Sequence, residues 1–186
     1  AIATTGFFGM LSNLILIFSF QVFYGYVYQW IGLLMGLFMG GTALGGMLMV
    51  KIMKRAKEER RLFMRCELLI VLFSLTMGLF LSRTQLYAMN TLFIFMTLFF
   101  AAGCFLGLEF PLAAKIYLGI RQEAGLATAV LYGADLLGGW LAGVLGGILL
   151  IPLWGVFNSC LFIVFIKLSS LLLIVALRKS LTRVPI

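Results

Sequence analysis

Three charged side chains stand where charge is costly. Asp135 lies inside LYGADLLGGWLAGVLGGILLI (131–151), Lys167 inside the last apolar run, and Glu109 in GCFLGLEFPLAAK near the end of another. Ionisable groups within apolar spans pair with one another, bind ions or ligands, or relay protons. Asp135 is four residues before Gly139, which begins the row Gly139, Gly143, Gly147. Glycine at every fourth position gives a flat helix face that lets backbones approach. Asp135 is therefore expected to face a neighbouring helix rather than lipid. It lies about nine residues, roughly 14 Å, from the cytoplasmic end of its span, and Lys167 about ten residues, roughly 15 Å, from the same side. Opposite charges at one depth on adjacent helices are expected to form an ion pair, or one of them to be neutralised. The plainer reading is that such a pair only fixes helix register.

Glu109 is followed by Pro111, which removes a backbone donor and favours a kink or a helix end there. Carbonyls exposed at a kink, together with the carboxylate, could add to a cation site. The plainer reading is an interfacial glutamate held by Lys115 or by the basic loop at 51–61. Gln21 is a further ligand candidate. With Asn13, Gln29 and Asn90 it belongs to a class that more often makes interhelical hydrogen bonds than binds ligand.

The elements that position these groups follow from composition. Of 186 residues, 63% are hydrophobic and 11% charged, and the mean hydropathy is +1.16. A soluble domain of this size cannot hide so much apolar surface, so lipid must be the solvent for most of the chain. Crossing the hydrocarbon as helix takes about 20 apolar residues. Six spans are expected, at about 3–24, 30–50, 62–82, 87–110, 126–151 and 156–177. Short breaks at GYVYQ, SRTQ and PLWG make hairpins; longer ones lie at KIMKRAKEERR (51–61) and around 113–125. The predicted fold is all-α, an integral membrane six-helix bundle.

Orientation follows from the basic residues. With six spans, Lys51, Lys54, Arg55, Lys57, Arg60, Arg61, Arg65, Lys115, Arg121, Arg178, Lys179 and Arg183 share one side, twelve of the fourteen Lys and Arg. That side is cytoplasmic, as are both termini. Tyr26, Tyr28, Trp30, Tyr87 and Trp154 on the other side suit an interfacial aromatic belt. The basic loop is expected to contact anionic lipid headgroups through Lys51, Lys54, Arg55, Lys57, Arg60 and Arg61. The net charge of +8 thus serves orientation, and no nucleic-acid partner is expected. The second span, IGLLMGLFMGGTALGGMLMV, is glycine-rich like the fifth and crosses in the opposite sense. A 3+3 inverted repeat would produce this pattern; so would tight packing alone. Gly36 and Gly40 are expected to pack helices, as are Gly139, Gly143 and Gly147.

Some chemistry is missing. Histidine is absent, which removes histidine-ligated haem or zinc and a histidine base. No cofactor and no metal site are expected in this chain. Cys66, Cys104 and Cys160 are expected to be small packing residues. No phosphate-binding GxxxxGK[ST] loop and no catalytic constellation is found. The chain opens on Ala1 rather than methionine, so trimming, or a piece cut from a longer protein, is expected.

Three stretches, FQVFYGYVYQWIGLLMGLFMGGTALGG (20–46), GLEFPLAAKIY (107–117) and LYGADLLGGWLAGVLGGILLIPLWG (131–155), resemble the membrane portion of bacterial spermidine synthase-like membrane proteins. The resemblance covers nearly all of the chain. It implies the bacterial inner membrane and a six-helix module distantly similar to half of a major facilitator transporter. It also implies a soluble aminopropyltransferase-like domain as partner. That domain is absent from these residues, so synthase activity is not expected of them. Two functions follow as expectations. One is transport or channelling of a small cationic ligand, which a module of half the usual size would perform as a homo-oligomer or with other membrane subunits. The alternative is a non-catalytic anchor or scaffold in a larger complex, one candidate being a respiratory or electron-transfer complex.

Overall fold

The computed structural model of the protein describes residues 1–25, 28–55, 58–83, 91–121 and 124–181, and the side chains of all of these but 120, 121, 124 and 177–181. The described residues are helical with short turns and contain no strand. In lipid every backbone N–H and C=O must find a partner within the chain, and a helix supplies those partners locally. The helices are α1 (Ile2–Tyr24), α2 (Ile31–Met53), α3 (Glu59–Arg83), α4 (Thr91–Arg121), α5 (Ala124–Leu145) and α6 (Gly155–Leu181), with a π-helical stretch, Gly146–Trp154, joining the last two. Gly25 ends α1 with φ 71°, a left-handed conformation suited to glycine, and its N–H donates to the Gln21 carbonyl at 2.8 Å.

Among the described residues, five helical segments are long and apolar enough to cross a membrane: Ile2–Tyr24, Ile31–Met53, Glu59–Arg83, Thr91–Gly119 and Gly125–Ala176. The expected count of six is not matched, because helical geometry runs through Pro152 to Trp154 and α6 follows at once from Gly155, so the last two spans form one segment. Pro152 lacks an N–H and its ring crowds the carbonyl four residues back. The chain widens into π geometry over Gly146–Trp154, which accommodates the proline without a coil. The break expected at 113–125 is also mostly helix. Pro111 neither ends α4 nor opens a loop, and the helix runs on to Arg121. A proline costs one backbone bond, whereas ending the helix in lipid would leave several groups unpaired. The expected SRTQ connection falls largely outside the described residues, as do Tyr26, Lys57, Tyr87, Asn90 and Arg183.

Helix α1 is the most enclosed. Its apolar window is 61% buried, against 22% for α2. Phe8, Leu11, Ile15, Leu16 and Phe20 of α1 are fully buried with Phe95 and Phe99 of α4, Ile70 of α3 and Ile163 of α6. Two helix pairs approach at backbone distance. In α2 and α4, a Cβ on Gly41 would strike the Phe100 carbonyl, one on Gly45 the Cys104 carbonyl and one on Gly107 the Thr42 carbonyl. In α1 and α5, a Cβ on Gly6 would strike the Asp135 carbonyl and one on Gly138 the Ala3 carbonyl. The glycine rows read from spacing are thus partly displaced. Gly36 and Gly40 face outward with nothing within 4 Å of an added Cβ, and Gly147 likewise meets nothing. Gly139 and Gly143 do lie toward α1: an added Cβ would stand 3.7 Å from the Gly6 carbonyl oxygen at the first and 3.5 Å from Met10 Cε at the second. Spacing defines a stripe but does not say which stripe meets a neighbour.

The contacts also fix directions. Ala3 meets Gly138 and Leu11 meets Gly146, so α1 and α5 run parallel. Thr5 meets Lys167 and Phe7 meets Phe162, ring centroids 6.0 Å apart, so α6 runs antiparallel to α1. The chain therefore reverses within the fifth apolar segment, where Gly155 takes φ 76°, ψ 175°. That φ favours glycine.

Candidate functional site

Two features stand inside this frame, a buried ion cluster and a cleft, and Thr5 belongs to both. The cluster is built by four helices. Lys167 of α6, Glu67 of α3 and Glu109 of α4 all have fully buried side chains. Lys167 Nζ donates to Glu109 Oε2 at 2.8 Å and to Thr5 Oγ1 of α1 at 2.9 Å. The Thr5 hydroxyl in turn donates to Glu109 Oε2. Ser170, one helical turn beyond Lys167, donates to Glu67 Oε1 at 3.1 Å. Glu67 Oε2 lies 3.2 Å from Lys167 Nζ but receives no well-formed hydrogen bond, and Glu109 Oε1 has no partner. Two carboxylates thus meet one ammonium, an excess of one negative charge with no water-exposed surface.

The expected pairing of Lys167 with Asp135 is not what the structure contains. Lys167 turns inward to Glu109 and Glu67 and does not snorkel. Depth says nothing about azimuth, and α6 presents this side chain to α3 and α4. Glu109 is not an interfacial glutamate held by Lys115. Lys115 instead pairs with Glu59 at 2.7 Å, with 45% and 32% of the side chains exposed. Glu67 and Thr5 were not singled out by sequence reasoning. Glu67 follows the exposed Arg65 closely and reads as the tail of the basic loop. A signal was present: Glu67, Val71, Ser74 and Gly78 recur at helical spacing, and all four are buried.

Asp135 is half-buried on the α1-facing side of α5. Its carboxylate makes no hydrogen bond or salt bridge among the described residues, although Lys167 and Glu109 lie within electrostatic range. It lines two adjoining clefts between the α1/α5 pair and the α2/α4 pair. One, about 460 Å³, is lined by Asn13, Phe38, Leu106, Asp135 and Trp140 among others. The other, about 290 Å³, is lined by Thr5, Thr42, Leu106, Pro111, Tyr132 and Asp135. The walls are chiefly apolar, with the carboxylate as the charged group. Asn13 Nδ2 reaches Met35 Sδ at 3.4 Å, and its Oδ1 is buried without a partner. Gln21 takes no part: its side chain is exposed at the far end of α1. Of the headgroup candidates, Lys51, Lys54, Arg55, Arg60 and Arg61 are exposed, and Arg61 also pairs with Glu58 at 2.6 Å. The three cysteines are free, with Cys66 and Cys160 buried. Among the described residues no group of three or more Cys, Asp or Glu is placed to hold a metal ion.

Compared with protein-family models, with curated proteins and with solved structures, the chain matches none.

Proposed function

We propose that this chain is a six-crossing module of the bacterial inner membrane, of the spermidine synthase-like kind, that binds and passes a small cationic ligand. The observation that carries the reading is Asp135, an unpaired carboxylate lining a cleft between two tightly packed helix pairs. A carboxylate there is costly without a counter-charge, and a ligand cation would supply one. The reversal at Gly155 supports two crossings within Gly125–Ala176. The pairing pattern supports a 3+3 inverted repeat. Exchanging α1 with α4, α2 with α5 and α3 with α6 turns the α1/α5 contact into the α4/α2 contact, and it turns the α1/α6 contact into the α4/α3 contact. Helices α1 and α4 run antiparallel, with Gly9 meeting Leu106 and Thr5 meeting Glu109, as inverted units require.

Equilibrium binding of radiolabelled amines to the full chain in lipid nanodiscs tests the ligand reading. Polyamines are the first probes because of the sequence resemblance. Asp135→Asn is expected to weaken binding about ten- to a hundredfold, the value of one charge-assisted contact. Saturable binding unchanged by Asp135→Asn, or no saturable binding of any amine, would sink it. Topology is tested by single cysteines near Gly125 and near Ala176, in a background without the native three, and a membrane-impermeant thiol reagent. Both are expected to label from the same face as one at Arg55; labelling from opposite faces would exclude two crossings.

A second reading, a membrane anchor or scaffold subunit, rests on a different observation. The row Gly32, Gly36, Gly40 faces outward with nothing within 4 Å, a flat face on which another membrane helix could pack.

A further inference from the structure

The ion cluster has a consequence that does not depend on what occupies the cleft. Two carboxylates and one ammonium, each with no exposed side-chain surface, leave one negative charge in excess. In a low-dielectric interior an uncompensated charge is very costly. Something must balance it, and the geometry limits what that can be. An alkali or divalent cation needs several oxygen ligands around one point. Here the ammonium already sits between the carboxylates, and the oxygens of Thr5 and Ser170 are engaged. A proton needs no such space.

We propose that the cluster is a proton-binding site, holding one exchangeable proton on Glu67 while Glu109 and Lys167 remain an ion pair. The hydrogen bonds are unequal in the required sense. Glu109 Oε2 receives both the Lys167 ammonium and the Thr5 hydroxyl, and each such bond favours the charged form. Glu67 receives the Ser170 hydroxyl on Oε1 at 3.1 Å, and its Oε2 stands farther from the shared ammonium, 3.2 Å from Lys167 Nζ against 2.8 Å for Glu109 Oε2. A serine hydroxyl rotates, so Ser170 can donate to a charged Glu67 and accept from a protonated one. It therefore serves both states without a rearrangement of helices. Among the described residues, the other titratable side chains facing the cluster are Cys66 from α3 and Asp135 from α5. Neither side chain brings positive charge, so the excess stays in place. The proton exchanges with water: the carboxylic acid becomes a carboxylate and the charge of the buried cluster changes by one. Thr5 touches Glu109 and Lys167 and also lines the smaller cleft, so the cluster adjoins the space where a ligand would sit.

Infrared spectroscopy of the full chain in lipid, comparing water with heavy water at neutral pH, reads the protonated carboxyl directly. One deuterium-sensitive carboxylic C=O band per chain is expected from the cluster. It should vanish in Glu67→Gln, a variant expected to fold because it leaves a neutral Glu109–Lys167 pair. It should shift in frequency in Glu67→Asp and stay in place in Glu109→Asp. Asp135→Asn should leave it unchanged, which separates this site from the cleft. The absence of any band sensitive to Glu67→Gln overturns the assignment. So does a band removed only by Asp135→Asn. A band abolished by replacing choline with sodium or potassium assigns the site to an alkali cation, and also overturns it.

Discussion

Lys167→Met is expected to lower the stability of the folded chain by about 3–5 kcal/mol, the usual cost of stripping a buried ion pair of one partner. The reason is local. Lys167 Nζ is the cation within 4 Å of both Glu67 and Glu109, and neither carboxylate side chain has exposed surface. Without it the two acids share one buried space with only hydroxyl donors. The comparison is Lys115→Gln. That substitution removes the Lys115–Glu59 pair, whose side chains are 45% and 32% exposed, and should cost less than about 1 kcal/mol. Unfolding in a graded detergent mixture measures both. The neutral triple variant, with Glu67→Gln and Glu109→Gln added to Lys167→Met, should recover most of the loss, since well-packed neutral replacements of buried ions are often tolerated. If Lys167→Met and Lys115→Gln destabilise equally, the cluster is not buried as described.

The second large effect concerns backbone approach. Gly45→Leu should separate α2 from α4, because the first atom added lands on the Cys104 carbonyl oxygen. Gly138→Leu should do the same to α1 and α5 at the Ala3 carbonyl. Neither neighbour is a flexible side chain that can swing aside. Alanine at either position should cost about 1–3 kcal/mol and leucine more. Gly36→Ala and Gly40→Ala should lie within about 0.5 kcal/mol of the parent, because nothing stands within 4 Å of the added carbon. Equal losses at Gly36 and Gly45 would contradict the helix pairing. Should Gly36→Ala or Gly40→Ala leave stability intact but abolish association with another membrane protein, the scaffold reading gains its first direct support.

These two experiments mark where sequence and structure part. Composition and the length of the apolar runs pointed to helices able to cross a membrane, and the helices have that length and apolar character. Helix starts were readable in part: α2 and α6 begin within a residue of the spans read from hydropathy, whereas α3 begins three residues before its expected start. Helix ends at proline were not. Pro111 and Pro152 both lie inside continuous helical structure, because surroundings that punish unpaired backbone groups outweigh a local breaking tendency. That Asp135 lies on the side of its helix facing a neighbour was legible from its spacing to Gly139; that Lys167 turns inward was not, because depth carries no azimuth. Which partner each would meet was not, because spacing gives a face and only packing gives a neighbour. Lys167 found Glu109 on α4 and Glu67 on α3 because α6 lies against α1 and α3, an arrangement fixed by where Gly6, Gly45, Gly78 and Gly138 allow helices to touch. The sequence thus determined the apolar helices and the presence of charge within them. The tertiary structure decided which charges meet, because that depends on the rotation of each helix about its axis, which small residues set through contacts far apart in the chain.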